Sequence, residues 1–286
     1  MTGLMLRFGL GLVLAIALLP ASAAAEPLVP HFRDTRQRLA VPDTSDIQRL
    51  RFLTTTDFFP FNMLDERGNL IGFHVDLARA ICRKLELEQR CQVQALPFEE
   101  LSEALQKGDG EAIIAGIAIT GESRSRYDFT QPYFQFPARF AARRDAAMAE
   151  PLAESLKGKR VGVLTGTSHE QMLRDLFPGL EIAPFDTERD LVRAAREGDV
   201  AAIFADGVRL SFALTDEEAA GCCAFVGGPY YTQEYLGHGL AIATRPDQPL
   251  IGQALDYALQ HLEAENAFSE LYLRYFPLDF YSLSNP

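Results

Sequence analysis

Polar side chains that could bind a small charged molecule stand at the ends of predicted strands. Asp206 closes the apolar run 200–205, where an unpaired carboxylate is costly unless it faces a cleft. Thr167 and Ser168 stand where another predicted strand turns into a helix, so their hydroxyls and backbone N–H groups can meet an anion. Plain helix capping is the alternative for both Asp206 and Ser168.

Motifs of hydrolytic and metal-dependent enzymes are absent from the sequence. It contains no Gly-x-Ser-x-Gly and no His-Glu-x-x-His. The side chains available for acid–base chemistry near the predicted site are His169, Glu170, Glu234 and Asp206. We therefore predict no catalytic residues, no metal ion and no cofactor.

Four cysteines are present, and they form two unlike pairs. Cys82 and Cys91 flank the predicted end of a helix and the start of a strand, so we predict a disulfide between them. Cys222 and Cys223 are adjacent, and the sequence leaves open whether they are free or bonded to each other. No histidine pair at ligand spacing accompanies them, which argues against zinc.

The elements that must position these residues alternate between strands and helices. Apolar runs of strand length are followed by segments with helical spacing in two successive cycles, which predicts an α/β fold with parallel sheets in two lobes. The first cycle has strands at 50–55, 91–96 and 112–117; the second has strands at 160–164, 181–185 and 200–205. A last strand at 239–244 and helices at 250–262 and 267–275 lack a core of their own, so we expect them to return to the first lobe.

The predicted organisation has five parts. Residues 1–25 form a signal peptide and residues 26–49 an N-terminal arm; residues 50–138 begin lobe 1, residues 139–232 form lobe 2, and residues 233–286 complete lobe 1. Hinge segments are expected near 138–143 and 230–237. Arg139 lies in the first of these and is expected to be solvated, or alternatively to favour an acidic ligand.

The N-terminus and the charge indicate an exported protein. Arg7 precedes the apolar stretch 8–19, and the alanines 23–25 suit signal peptidase cleavage before Glu26; a retained anchor helix is the alternative. The formal net charge is −12, which argues against nucleic acid or anionic lipid as the main partner.

Several motifs in order resemble the polar amino acid family (family 3) of solute-binding proteins that serve ABC importers. They are Asp57-Phe58-Phe59-Pro60-Phe61, Gly72-Phe73-x-Val75-Asp76-Leu77, Asp128-Phe129-Thr130-x-Pro132-Tyr133, Lys157-Gly158-Lys159-Arg160-Val161-Gly162 and Gly198-Asp199-Val200-Ala201-Ala202. The resemblance implies a two-lobed, type II periplasmic-binding-protein fold with the ligand in the cleft between the lobes. It also implies a periplasmic monomer that delivers an amino-acid-like ligand to an ABC permease in the inner membrane.

The resemblance also assigns ligand contacts. In family terms Asp206 binds the ligand ammonium, Thr167 and Ser168 bind on lobe 2, and the backbone at Gly116 approaches the ligand. Phe59 is the expected aromatic contact, and Asp57 either assists with the ammonium or caps its loop.

Lobe 1 departs from the family pattern in three places. The arginine that takes a ligand carboxylate is replaced by Ser123, and Arg124, one residue later, is expected to reach the cleft instead. A hydroxyl residue of the family is Ala118 here. His74 stands where the family has an acid and is expected on the surface.

Two other classes of protein are compatible with the same fold. One is an exported enzyme resembling cyclohexadienyl dehydratase, which needs an acid or base with a tuned pKa in the cleft. The other is a sensory or accessory protein that reports its ligand to a partner.

Overall fold

The computed structural model describes residue 30, residues 38–217, residue 219 and residues 221–283. The predicted signal peptide and part of the arm lie outside the described residues. In chain order the elements are β1 (Leu50–Thr54), β2 (Asp57–Phe58), β3 (Asn62–Leu64), β4 (Leu70–Ile71), α1 (Phe73–Lys84), β5 (Cys91–Ala95), α2 (Leu101–Lys107), β6 (Ala112–Ile113), β7 (Asp128–Phe129), β8 (Ala138–Arg143), α3 (Leu152–Leu156), β9 (Arg160–Leu164), α4 (Ser168–Leu176), β10 (Glu181–Phe185), α5 (Glu188–Glu197), β11 (Ala202–Asp206), α6 (Gly207–Ala213), β12 (Cys223–Tyr230), α7 (Gln233–Leu236), β13 (Ala243–Thr244), α8 (Pro249–Ala264) and α9 (Ala267–Tyr275).

The first sheet has the strand order β5-β1-β6-β13-β7. Strand β1 is parallel to both β5 and β6, and Leu53 pairs with Ile113. Strand β13 then joins β6 in the antiparallel sense, so the chain returns to this sheet after the second one is complete. Helices α8 and α9 pack against α1, sharing one apolar core that includes Leu77, Leu255 and Tyr272. The C-terminal elements thus contribute a strand and two helices to the first sheet and its core.

The second sheet has the order β10-β9-β11-β8-β12 and combines parallel and antiparallel pairs. Strands β9, β10 and β11 are the parallel strands predicted from the apolar runs. Strands β8 and β12 are antiparallel to their neighbours and were not predicted.

The crossings between the sheets lie just outside β8 and β12. The prediction of a hinge at 138–143 was wrong, because all six residues are strand β8 inside the second sheet. The chain crosses instead at about 130–137 and again after Tyr230, and an isolated antiparallel bridge joins Phe134 to Leu240 between the two crossings. Arg139, predicted to be solvated, is fully buried, because backbone carbonyls of the C-terminal segment surround its guanidinium.

Both cysteine pairs are bonded. The predicted disulfide joins Cys82 near the end of α1 to Cys91 at the start of β5, and so ties the first helix to the edge of its sheet. Cys222 and Cys223 are bonded to each other where β12 begins, which selects one of the two possibilities that the sequence left open. Within the described part of the chain, no helix has the length and apolar character needed to cross a membrane.

Candidate ligand-binding site

Asp206 occupies the point where strand β11 becomes helix α6. Its Oδ1 accepts a hydrogen bond of 2.9 Å from the backbone N–H of Arg209, so the carboxylate caps the helix. Burial raises the pKa of Asp206 to about 6; the backbone N–H of Arg209 acts against this rise, and the negative charge of Glu188 adds to it. The carboxylate therefore caps α6, and it is half-buried, so a cationic partner would favour its charged form.

The start of helix α4 lies at the same edge of the second sheet as Asp206. Strands β9 and β11 are parallel neighbours, and Phe204 pairs with Val163. Continued two residues along each strand, this register would place Asp206 level with Thr165, which leads into the turn before α4. The carboxyl ends of parallel strands thus bring an acid and a helix N-terminus together.

The two hydroxyl residues of this turn have different environments. The Thr167 hydroxyl accepts a hydrogen bond from Glu170 N at 3.2 Å and donates one to Leu164 O at 2.8 Å, so the threonine is the cap of α4. Glu170 reaches back to accept from the N–H of Gly166, the residue before the cap, at 2.8 Å, a variant of the capping box. Ser168 is the first residue of the helix and is exposed. We expect its N–H and hydroxyl to be the groups of this turn that a ligand can reach.

His169 and Glu170, which the enzyme alternative would need, both have lowered pKa values. Burial lowers the pKa of His169 to about 4, with the positive charge of Arg209 as a second cause, so its ring is neutral at neutral pH. The Glu170 carboxylate accepts hydrogen bonds from Gly166 and from Arg174, and both lower its pKa.

The facing edge of lobe 1 is formed by the segments that follow β1 and β6. Because Leu53 pairs with Ile113, the loop at Asp57 and the turn at Gly116 leave neighbouring strands at one edge. Gly116 has a φ of +75°, and a Cβ built there would lie 2.7 Å from Cε1 of Phe58. The Phe58 ring therefore packs directly on the Gly116 backbone.

The two phenylalanines of the aromatic loop make different contacts. Phe58 lies against Gly116 and stacks on Phe61 with ring centroids 4.8 Å apart. Phe59 is 60% exposed and meets Phe212 of helix α6, on the other lobe, at 4.9 Å. The predicted ligand contact of Phe59 stays a prediction, and Phe58 is a second candidate that the sequence did not favour. Asp57 is exposed at the start of β2.

Arg124 lies away from these groups. It is exposed and lines a groove of about 320 Å³ with Thr244 and Asp256. Thr244 pairs with Ala112 at the start of β6, whereas Gly116 follows the end of that strand. The structure therefore does not bring the Arg124 side chain to Gly116, and its contact with a ligand stays a prediction.

Ser123 stands at the position of the family's arginine, and its side chain forms hydrogen bonds within its own loop. Its hydroxyl donates to Ala118 O at 2.7 Å and accepts from Thr120 N at 2.9 Å. The Thr120 hydroxyl in turn accepts from Ser123 N at 3.1 Å. These bonds fold the loop after β6 into a compact turn.

His74, predicted to lie on the surface, is completely buried. Its backbone N–H donates to Phe61 O at 3.0 Å, which folds the aromatic loop over the first turn of α1. The ring nitrogen Nε2 lies 2.8 Å from the hydroxyl of Tyr133, and burial lowers the pKa of the imidazole to about 3. His74 is thus a neutral core residue beneath the loop that carries Phe58.

Comparison with known proteins identifies the class of protein to which this chain belongs. The family model of bacterial extracellular solute-binding proteins, family 3, matches residues 50–278. This chain belongs to that family. The family and the two-lobed α/β fold predicted from the motifs are confirmed.

Relatives of this solute-binding protein include two that are named for arginine. The putative ABC transporter arginine-binding protein 2 of Escherichia coli K12 is 29% identical over 229 residues, which cover 80% of this chain and 91% of the relative. The L-arginine-binding protein of Pseudomonas aeruginosa is 29% identical over 245 residues, which cover 85% and 93%.

Solved structures of other receptors share the fold. The unliganded open L-cystine solute receptor of Neisseria gonorrhoeae is 17% identical with a TM-score of 0.69, covering 82% of this chain and 94% of the receptor. Substrate-binding domain 2 of Lactococcus lactis GlnP, in its open conformation, is 18% identical with a TM-score of 0.68, covering 84% and 100%. At these identities the likeness shows the fold alone.

Proposed function

We propose that this solute-binding protein is a periplasmic monomer that encloses a small zwitterionic, amino-acid-like molecule and delivers it to an ABC permease. The observation that carries the proposal is that Asp206 and the start of α4 follow the carboxyl ends of neighbouring parallel strands, at one edge of the second sheet. A zwitterion brings an ammonium and a carboxylate into the cleft together, and each needs a partner of opposite polarity once water is removed.

In this proposal the two lobes make different contacts with the ligand. Lobe 2, residues 139–232, holds the ammonium at Asp206 and the carboxylate at Ser168 and the N–H groups of the first turn of α4. Lobe 1, residues 50–138 and 233–286, covers the ligand with the aromatic loop and the backbone at Gly116. Ligand binding favours the closed arrangement of the two lobes, since only that arrangement contacts the ligand from both sides.

The relatives include proteins named for binding arginine or histidine, which supports transport over catalysis. At neutral pH the lowered pKa values of His169 and Glu170 leave both without the proton that a general acid donates. We therefore propose a carrier whose ligand leaves unchanged.

Calorimetry of unfolded, ligand-stripped and refolded protein against a panel of amino acids and related amines tests the proposal. We expect at least one member of the panel to bind, and Asp206→Asn to weaken that binding. Asp199→Asn is the matched control, because Asp199 is exposed and precedes the opposite end of β11. Absence of binding across the panel, or conversion of added prephenate to a product, would overturn the proposed function.

A further inference from the structure

Arg139 is a buried cation on strand β8 that binds the C-terminal segment. Its Nη1 donates to the carbonyl oxygens of Phe280 and Ser282, each at 2.8 Å, and Nη2 donates to Gly227 O at 3.1 Å. The guanidinium also lies over the ring of Phe225, 4.6 Å from its centroid. Both β8 and the strand that contains Gly227 belong to the second sheet.

The segment that Arg139 binds is residues 276–283, which we call the C-terminal strap. Asp279 organises it, because Oδ1 accepts from the backbone N–H of Tyr281 at 2.9 Å and Oδ2 accepts from the Ser282 hydroxyl. The N–H of Phe280 donates to the Tyr272 hydroxyl of helix α9 at 3.1 Å. These bonds fix the carbonyls that receive the guanidinium.

The strap contacts both lobes. Phe276, Phe280 and Tyr281 are buried in the core of the first lobe, and the Tyr281 hydroxyl donates to Gln135 O at 2.8 Å on the first crossing. Leu278 packs instead against an apolar cluster of the second lobe. The strap therefore joins the lobes without being either of the two chain crossings.

Arg139, which binds the C-terminal strap, lies next to the residues that flank Asp206, the proposed ligand-binding acid. A Cβ on Gly207 would be 2.9 Å from Cγ of Arg139, so the arginine stem fills the space beside the residue that follows Asp206. The N–H of Gly207 donates to Pro137 O at 2.7 Å, and Asp206 pairs with Ala138.

We propose that the C-terminal strap is a third, non-covalent connection between the lobes and limits how far the cleft opens. The inference rests on the lobe motion in the proposed function. If the lobes separate fully, the Arg139 guanidinium loses two of its acceptors, and the Phe280 and Ser282 carbonyls lose a charged donor, in a buried place. Opening is restrained because that loss grows as the lobes move apart.

Distances between spin labels on the two lobes test the restraint without any ligand. Labels at Gln106→Cys on α2 and Gln171→Cys on α4 use exposed helical positions, one on each lobe. We expect Arg139→Met to shift the distance distribution to longer values and to broaden it. Arg143→Met is the matched control, since Arg143 ends the same strand and pairs with Asp145 at the surface.

A second variant distinguishes the loss of the strap contacts from misfolding of the Arg139→Met protein. Asp279→Ala loosens the strap from within and leaves Arg139 in place, so it should produce the same shift in a folded chain. Circular dichroism establishes folding for each variant. Folded Arg139→Met and Asp279→Ala proteins with the parent distribution, or with a shorter distance, would overturn the strap, whereas loss of ligand binding alone would bear only on the proposed function.

Discussion

The backbone N–H of Arg209 donates to Oδ1 of Asp206 at 2.9 Å, so one carboxylate both caps helix α6 and lies at the proposed ligand site. Asparagine caps helices about as well as aspartate, whereas alanine costs about 1 kcal/mol at such a position. Asp206→Asn therefore separates the charge from the structural role.

Ligand affinity should fall as the solution becomes acidic. Because the pKa of Asp206 is raised to about 6, roughly nine tenths of its carboxylate is protonated at pH 5 in the ligand-free protein. We expect binding to weaken by about tenfold between pH 7.5 and pH 5, measured by calorimetry. Asp206→Asn should bind more weakly at both pH values with little dependence on pH, and a parent protein with the same affinity at both would contradict the assignment.

Gly116→Ala should weaken ligand binding more than it destabilises the fold. The positive φ costs a residue with a side chain about 1–2 kcal/mol, and the new Cβ also displaces the Phe58 ring. Gly68→Ala is the control, because Gly68 has a φ of +77° with nothing within 4 Å of its Cβ position. Calorimetry measures the ligand affinity of Gly116→Ala and Gly68→Ala, and thermal unfolding measures their stability. Equal affinity in the two variants would show that Phe58 is not part of the ligand site.

The apolar runs predicted the parallel strands of the second sheet well, with β9 and β10 found at 160–164 and 181–185 as expected. Strand β8 was missed because its sequence, Ala-Arg-Phe-Ala-Ala-Arg, carries no alternation of polar and apolar residues. Its burial depends on β12, whose residues lie about eighty positions later. Such long-range antiparallel pairing leaves little local signal.

Asp206 and the turn before α4 could be placed together because each follows a predicted parallel strand. The burial of Arg139 could not be predicted, since its acceptors are backbone carbonyls of Phe280 and Ser282 at the far end of the chain. His74 was misplaced for a similar reason: the residues that cover it, Phe61 and Tyr133, meet it only after folding.

His74 should make the protein sensitive to acid. Its pKa is lowered to about 3, so the folded chain keeps the ring neutral while the unfolded chain binds a proton below about pH 6.5. The free energy of unfolding should therefore fall by about 2–3 kcal/mol from this residue between pH 7 and pH 4.5. In urea unfolding, His74→Gln should show a smaller loss over this range than the parent or than the exposed-site control His238→Gln; an equal loss in all three would contradict the prediction.

The two disulfides should differ in their contribution to stability. Removing Cys82–Cys91 as a double alanine variant should lower the free energy of unfolding by about 2–4 kcal/mol, since the bond closes a loop in the unfolded chain. The same change at Cys222 and Cys223 removes a bond between neighbours that closes almost no loop, so the loss should be smaller. Urea unfolding of both variants checks the order, and the reverse order would refute it.

The central claim is that the charge of Asp206 recognises the ligand ammonium, and a comparison of two ligands in two proteins tests it. Calorimetry should measure the amino acid that binds best and its 2-hydroxy analogue, which lacks the ammonium, in the parent and in Asp206→Asn. We predict that the parent prefers the amino acid by at least about 30-fold and that Asp206→Asn reduces the preference to within about threefold. An undiminished preference in Asp206→Asn would show that another group binds the ammonium.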